Sequence, residues 1–237
     1  MTSLPELPDT ERFQRIKTFR LVMKRADPFS LVIGDRSKLL TVEQIKGLID
    51  KTGSVHGSIR TYSSAKAVRI TFDKSMHKYN RFNDEEQGAW YCALEHDTAV
   101  KEMRYHCERR QDETRKRGQE GTDGYRKEII FREIFADFSG TFRDARGEPR
   151  DEGILGLDIK TAYPLGQQLA HKLRAEGARG IVYPSVRDSE KKGTCLVAFH
   201  KEIVQNPRPG DCWKMSWNKD GEFNIDKMEE DFPVPTD

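Results

Sequence analysis

The chain has 237 residues, enough for one ordinary domain with an added arm. Lys plus Arg number 41 against 39 for Asp plus Glu, a formal charge of +2, which argues against a surface dedicated to nucleic acid. The longest apolar run, Ala89 to Leu94, is far shorter than the roughly 18 residues a membrane helix needs, and the opening MTSLPELPDTER lacks a basic start followed by an apolar stretch.

Residues 1–60 read as an N-terminal extension, partly helical. Phe13, Ile16, Phe19 and Leu21 give only a rough apolar pattern. Thr41 and Gln44 fit a capping box for a short helix over Thr41–Asp50, stopped by Gly53. Gly57 and Ser63-Ser64 mark a boundary.

The core, 61–228, opens with Ala67–Phe72, where Val68, Ile70 and Phe72 alternate with Arg69 and Thr71 and predict a strand. Ala89–Leu94 reads as a buried strand, and Asp97 caps a helix over Thr98–Cys107. Residues 108–124 read as a solvated helix end and loop, and Glu128–Phe138 as a short helix. Ala162, Leu165, Leu169 and Leu173 form a helical stripe ended by Gly177. Gly180–Tyr183, Thr194–Phe199 and Trp213–Trp217 read as strands, and 229–237 as an acidic tail. This mixture without regular alternation predicts an α+β fold.

The four cysteines, Cys92, Cys107, Cys195 and Cys212, contain no Cys-x-x-Cys pair. Adjacent His106 and Cys107 would point about 100° apart on a helix, a poor chelating pair. Reduced thiols, a cytoplasmic location and no metal site are therefore expected.

On the helix after Asp97, the residues Ala99, Glu102, Met103 and His106 share one face, which should turn inward. A buried Glu102 needs a cation, hydrogen bonds or a ligand; a salt bridge to one of many arginines would also serve. Arg81, in Tyr79-Asn80-Arg81-Phe82-Asn83, suits a phosphate clamp or a surface position in a polar loop. Tyr91, in the buried strand, would pack or offer a platform for a planar ring. Ser185 follows Pro184 at a strand end, where it would turn the chain. No Gly-x-Ser-x-Gly elbow surrounds it, and neither a Walker loop nor Gly-x-Gly-x-x-Gly occurs in the sequence.

The order and spacing of these residues are more specific than any one of them. Arg81 in Arg-Phe-Asn, Tyr91 ten residues later and Glu102 eleven beyond that resemble the RES domain family, and Ile181-Val182-Tyr183-Pro184-Ser185-Val186 fits its later part. Asn80 and Phe82 stand where the family usually has Gly and Trp. The resemblance covers about residues 65 to 205 and implies an ADP-ribosyltransferase-like split mixed sheet with flanking helices. It also implies an NAD-consuming toxin of a toxin–antitoxin pair, with a cognate antitoxin as partner and NAD as substrate rather than cofactor. Carried over by position, Glu102 would stabilise positive charge on the ribose. Arg81 would hold phosphates, with Arg69 as a second phosphate candidate. Tyr91 would pack on nicotinamide, and Ser185 would orient the nicotinamide end. Two other functions compete: transfer of ADP-ribose to a protein or nucleic acid, and a non-enzymatic binding module using the mixed-charge stretch Arg104 to Arg117.

Overall fold

The computed structural model describes residues 4–23, 64–73, 79–116, 128–188, 190, 193–218 and 222–229. The helix expected at Thr41–Asp50, the stop at Gly53, the boundary at Gly57 and most of the acidic tail lie outside them. Eight strands are described: β1 (Phe13–Met23), β2 (Trp90–Ala93), β3 (Glu128–Gly140), β4 (Arg143–Asp144), β5 (Gly180–Pro184), β6 (Thr194–Ala198), β7 (Gln205–Trp217) and β8 (Phe223–Met228). They form one sheet in the order β4-β5-β6-β2-β1-β3-β7-β8. Among the described strands only β4 and β5 pair in parallel. With α1 (Ser64–Thr71), α2 (His96–Lys116) and α3 (Ile159–Ala175), this is the expected α+β fold with a mixed sheet and flanking helices.

Several local expectations change. Ala67–Phe72 is not a strand: Ser64–Thr71 is helical, and the Thr71 hydroxyl donates back to Ala67 O (3.0 Å). Ala67 and Val68 are adjacent and both buried, a helical face that the alternation of Val68, Ile70 and Phe72 hid. Glu128–Phe138 is not a helix but most of β3, paired with β1 on one side and β7 on the other. Phe13–Met23, placed by pattern in the partly helical extension, is a strand at the middle of the sheet. Trp213–Trp217 is the end of a longer strand, and β8 follows it.

Each face of the sheet carries its own core. Tyr183, Cys195 and Val197 pack with Ala99, Val100 and Cys107 of α2 and with Leu169, Ala170 and Leu173 of α3. On the other face Trp90, Ile134, Phe138, Val182 and Leu196 pack with Ala67 and Val68 of α1. Each fully buried Leu or Phe contributes about 1.5–3 kcal/mol, so these cores supply most of the driving force. Gly177 ends α3 as expected, at φ +78°, with Ala178 N donating to Leu173 O (2.9 Å).

The sheet narrows sharply at one place. β1 and β2 share a single register pair, Phe19 with Ala93, whereas β1 follows β3 along most of its length. Two half-sheets therefore meet at a seam. Arg20 crosses it: Nη1 donates to Tyr91 O (3.2 Å), and the guanidinium lies over the Trp90 ring at 4.2 Å. Burial pushes its pKa down to about 10. Arg20→Ala should lower the unfolding free energy by about 2 kcal/mol, the scale of one charged hydrogen bond with its stacking. Urea titration checks this: the midpoint should fall at constant slope. An unchanged midpoint would mean that the seam is held by other contacts.

Candidate active site

α2 begins at His96, so Asp97 falls in its first turn rather than at its cap. Ala99, Val100 and Cys107 are buried, Met103 packs against the same core, and His106 is exposed. The inward line is thus Ala99, Met103 and Cys107, with Glu102 on its flank, turned towards the ends of β5 and β6. Ser185, fully buried just after β5, donates from Oγ to Glu102 Oε1 at 2.6 Å. Cys195 of β6 donates from Sγ to the same oxygen at 3.8 Å. Among the described residues Glu102 Oε2 takes no hydrogen bond. Burial raises the Glu102 pKa above the ordinary 4.5; the Ser185 bond, the charges of Arg187 and Arg81, and Cys195 pull the other way.

The turn that presents Ser185 is built around Asp188. Asp188 accepts Gly193 N (2.7 Å) and the Lys101 ammonium (2.7 Å), and Ser185 N donates to Gly193 O (2.8 Å). The Lys101 bond, chiefly, takes Asp188 down to about 2.

Arg81 lies in a loop clipped to α3. Gln167 donates to Asn80 O (2.7 Å) and Asn83 O (3.2 Å), and Arg174 donates to Gly88 O (3.0 Å). His171 and the Asp84 carboxylate are 2.7 Å apart. Gly166 permits this approach, since a Cβ there would sit 2.3 Å from Arg81 O. Arg81 itself is 5% exposed, and its Nη1 donates to Ile154 O (2.6 Å) and Gly156 O (3.1 Å). No ion pair joins it to Glu102, though each charge bears on the other. Tyr183 is the register partner of Cys195 and meets the Phe82 ring edge-on with centroids 5.1 Å apart, so it links the two halves of the cluster.

Tyr91 accepts Phe82 N (2.9 Å) and donates to Asn83 Oδ1 (2.9 Å). Burial raises its pKa, so the phenol stays protonated and serves as a tether for the Arg81 loop. Arg69 is not brought here. It is exposed on α1, which packs on the other face of the sheet. That placement sets it apart from Glu102 and Ser185.

Sequence reasoning missed Cys195, Tyr183, Gln167 and Arg187. Gln167 had a signal: it is a polar residue between Tyr163 and Ala170 on the buried face of α3. The others sit in ordinary strand or turn positions.

A half-buried glutamate on one helix of an α+β fold, bonded to a serine at a strand end, is the centre of the site. A family model, RES domain, matches residues 60–218, and the chain belongs to the RES domain family. No curated protein matches the chain. β1 precedes the matched region yet occupies the middle of its sheet. No helix among the described residues is long and apolar enough to cross a membrane.

Two stability outcomes follow from this geometry. Gly166→Ala should cost about 1–3 kcal/mol, because backbone rather than a flexible side chain meets the new methyl. Its melting temperature tests this, and an unchanged value would mean that the loop and α3 part freely. For Glu102 the sign runs through protonation. The folded state holds its proton more tightly than the unfolded chain, so its favourable contribution is complete below pH 4.5 and lost as pH rises through the folded value. Glu102→Gln should therefore melt higher than wild type at neutral pH, and the difference should shrink towards pH 4. A lower melting temperature at neutral pH would instead identify the carboxylate as a net stabilising partner of the arginines.

Proposed function

We propose that this protein cleaves NAD at the nicotinamide–ribose bond. The observation that carries the reading is the Glu102 carboxylate, with Oε1 taken by Ser185 at 2.6 Å and Oε2 left for a ligand. Membership of the RES domain family, whose resemblance implies an NAD-consuming toxin, supports it.

The chemistry asks little of the protein beyond electrostatics and positioning. The bond from C1′ of the ribose to the pyridinium nitrogen breaks, and its electron pair neutralises the ring as nicotinamide leaves. C1′ becomes oxocarbenium-like, as in glycoside cleavage. The Glu102 carboxylate stabilises that positive charge while Oε2 holds a ribose hydroxyl. Ser185 fixes the carboxylate rotamer by donating to Oε1. Water then adds at C1′ and loses a proton, giving ADP-ribose; inorganic phosphate adding there would give the 1-phosphate ester. Tyr91 and Arg81 are positioning residues here: they hold the loop that walls the site. A cognate antitoxin covering this cleft completes the proposed toxin role.

Purified protein with NAD alone should release nicotinamide, followed by chromatography. Glu102→Gln should remain folded and slow release by about a hundredfold or more, the usual loss for one electrostatic stabiliser. Ser185→Ala should slow it by about tenfold, the loss of one charge-assisted hydrogen bond that orients the acid. Release only in the presence of a protein or nucleic-acid acceptor would replace this reading with ADP-ribose transfer. Full activity of Glu102→Gln would remove Glu102 from the chemistry.

A further inference from the structure

Arg187 lies two residues beyond Ser185 and is tied to the same pair. Its backbone N–H donates to Ser185 Oγ (3.2 Å), the oxygen that itself donates to Glu102. Asp188 N donates there as well (3.2 Å), so the turn fixes where the Arg187 side chain starts. The guanidinium then lies over the Tyr105 ring, its Cζ 3.5 Å from the centroid. Tyr105 is three residues along α2 from Glu102, hence on a neighbouring face of the same helix.

This arginine has spare hydrogen-bonding capacity next to the site. Arg20, Arg81 and Arg174 spend their guanidinium N–H groups on backbone carbonyls, and Arg143, Arg146 and Arg208 spend theirs on carboxylates. Among the described residues Arg187 makes neither kind of contact with its guanidinium. A stacked, uncommitted fork is oriented in advance for the oxygens of an anion. The surrounding charges favour an anion too. Arg150 Nη1 donates to Ser185 O (3.2 Å), the Arg81 charge bears on Glu102, and the nearby Lys101 and Asp188 cancel each other at 2.7 Å. Arg81 is poorly suited to the same task, being nearly inaccessible and already bonded to Ile154 O and Gly156 O.

We infer that Arg187, stacked on Tyr105 beside the Glu102 carboxylate, is the group that binds phosphate oxygens at this site. The inference rests on the reading of Glu102 as the cleavage centre. It moves the phosphate role expected for Arg81 to a residue outside the quoted motif. The oxygens have two possible sources, the pyrophosphate of the dinucleotide or free inorganic phosphate acting as acceptor, and kinetics separates them.

In phosphate-free buffer, Arg187→Gln should raise KM for NAD about tenfold with little change in kcat if the pyrophosphate is the anion, since one charge-assisted contact is worth about that factor. If free phosphate is the anion, KM for NAD stays unchanged, and the acceleration of nicotinamide release by added phosphate disappears. Tyr105→Leu should move the same parameter in the same direction by a smaller factor, and Arg187→Lys should fall between wild type and Arg187→Gln. These two variants also carry the test should Arg187→Gln fail to fold. Calorimetric titration of ADP-ribose and of inorganic phosphate into Glu102→Gln, with and without Arg187→Gln, reads binding without turnover; at least one affinity should drop about tenfold. Variants that match wild type in KM, phosphate response and both affinities overturn the inference while leaving the cleavage reading intact. Loss of binding in a protein that never releases nicotinamide keeps the anion site and overturns the cleavage reading.

Discussion

A carboxylate set between a helix and a sheet demands an answer from the rest of the chain, because its charge is expensive away from water. Here the answer comes from a turn. Ser185, Asp188 and Gly193 form a closed set of hydrogen bonds between β5 and β6 that delivers one hydroxyl to Glu102. The turn is itself fastened to α2 through Lys101, one residue before Glu102. Helix and turn therefore fix each other, and the carboxylate between them has little freedom. Preorganisation of this kind is what electrostatic catalysis requires, since dipoles already in place need not reorganise as charge develops.

The second constraint is the loop of Arg81. An arginine between aromatic and amide side chains suggests ligand binding, yet most of the loop's polar groups are consumed within the protein. Gln167, Arg174 and Tyr91 each bind backbone of that loop, and Arg81 returns the favour to the turn before α3. Burying an arginine this way is tolerable only with its donors satisfied. The result is a rigid wall beside the glutamate, built from a segment without regular secondary structure.

Sequence reading succeeded where a local signal and the fold agreed. The strands expected over Ala89–Leu94, Gly180–Tyr183 and Thr194–Phe199 are Trp90–Ala93, Gly180–Pro184 and Thr194–Ala198, and Gly177 stops a helix. It failed where both faces of an element are covered. β3 lies between β1 and β7 with a core on either side, so Ile129, Ile130 and Phe131 run together and no clean alternation survives. α1 failed for the opposite reason: a short helix offered two turns of pattern, and Val68, Ile70 and Phe72 imitated a strand. Of the site, Glu102, Ser185 and the Arg81 loop could be read from spacing because the family resemblance joined them. Arg187 could not, since its meaning comes from stacking on Tyr105, a contact between residues far apart in sequence.

The position of β1 also shapes how the molecule is made. Of the described strands β1 is made first, but its main partner, β3, ends at Gly140, and β2 lies beyond Lys66 and Arg81. At about 5–20 residues per second, synthesis leaves Phe19, Leu21 and Val22 waiting for seconds with both strand edges bare. Pairings across such long stretches of chain form late and slowly. The sheet on which Glu102 and Ser185 hang therefore cannot assemble before β3, β5 and β6 have been made, and whatever chemistry the protein performs stays silent until then.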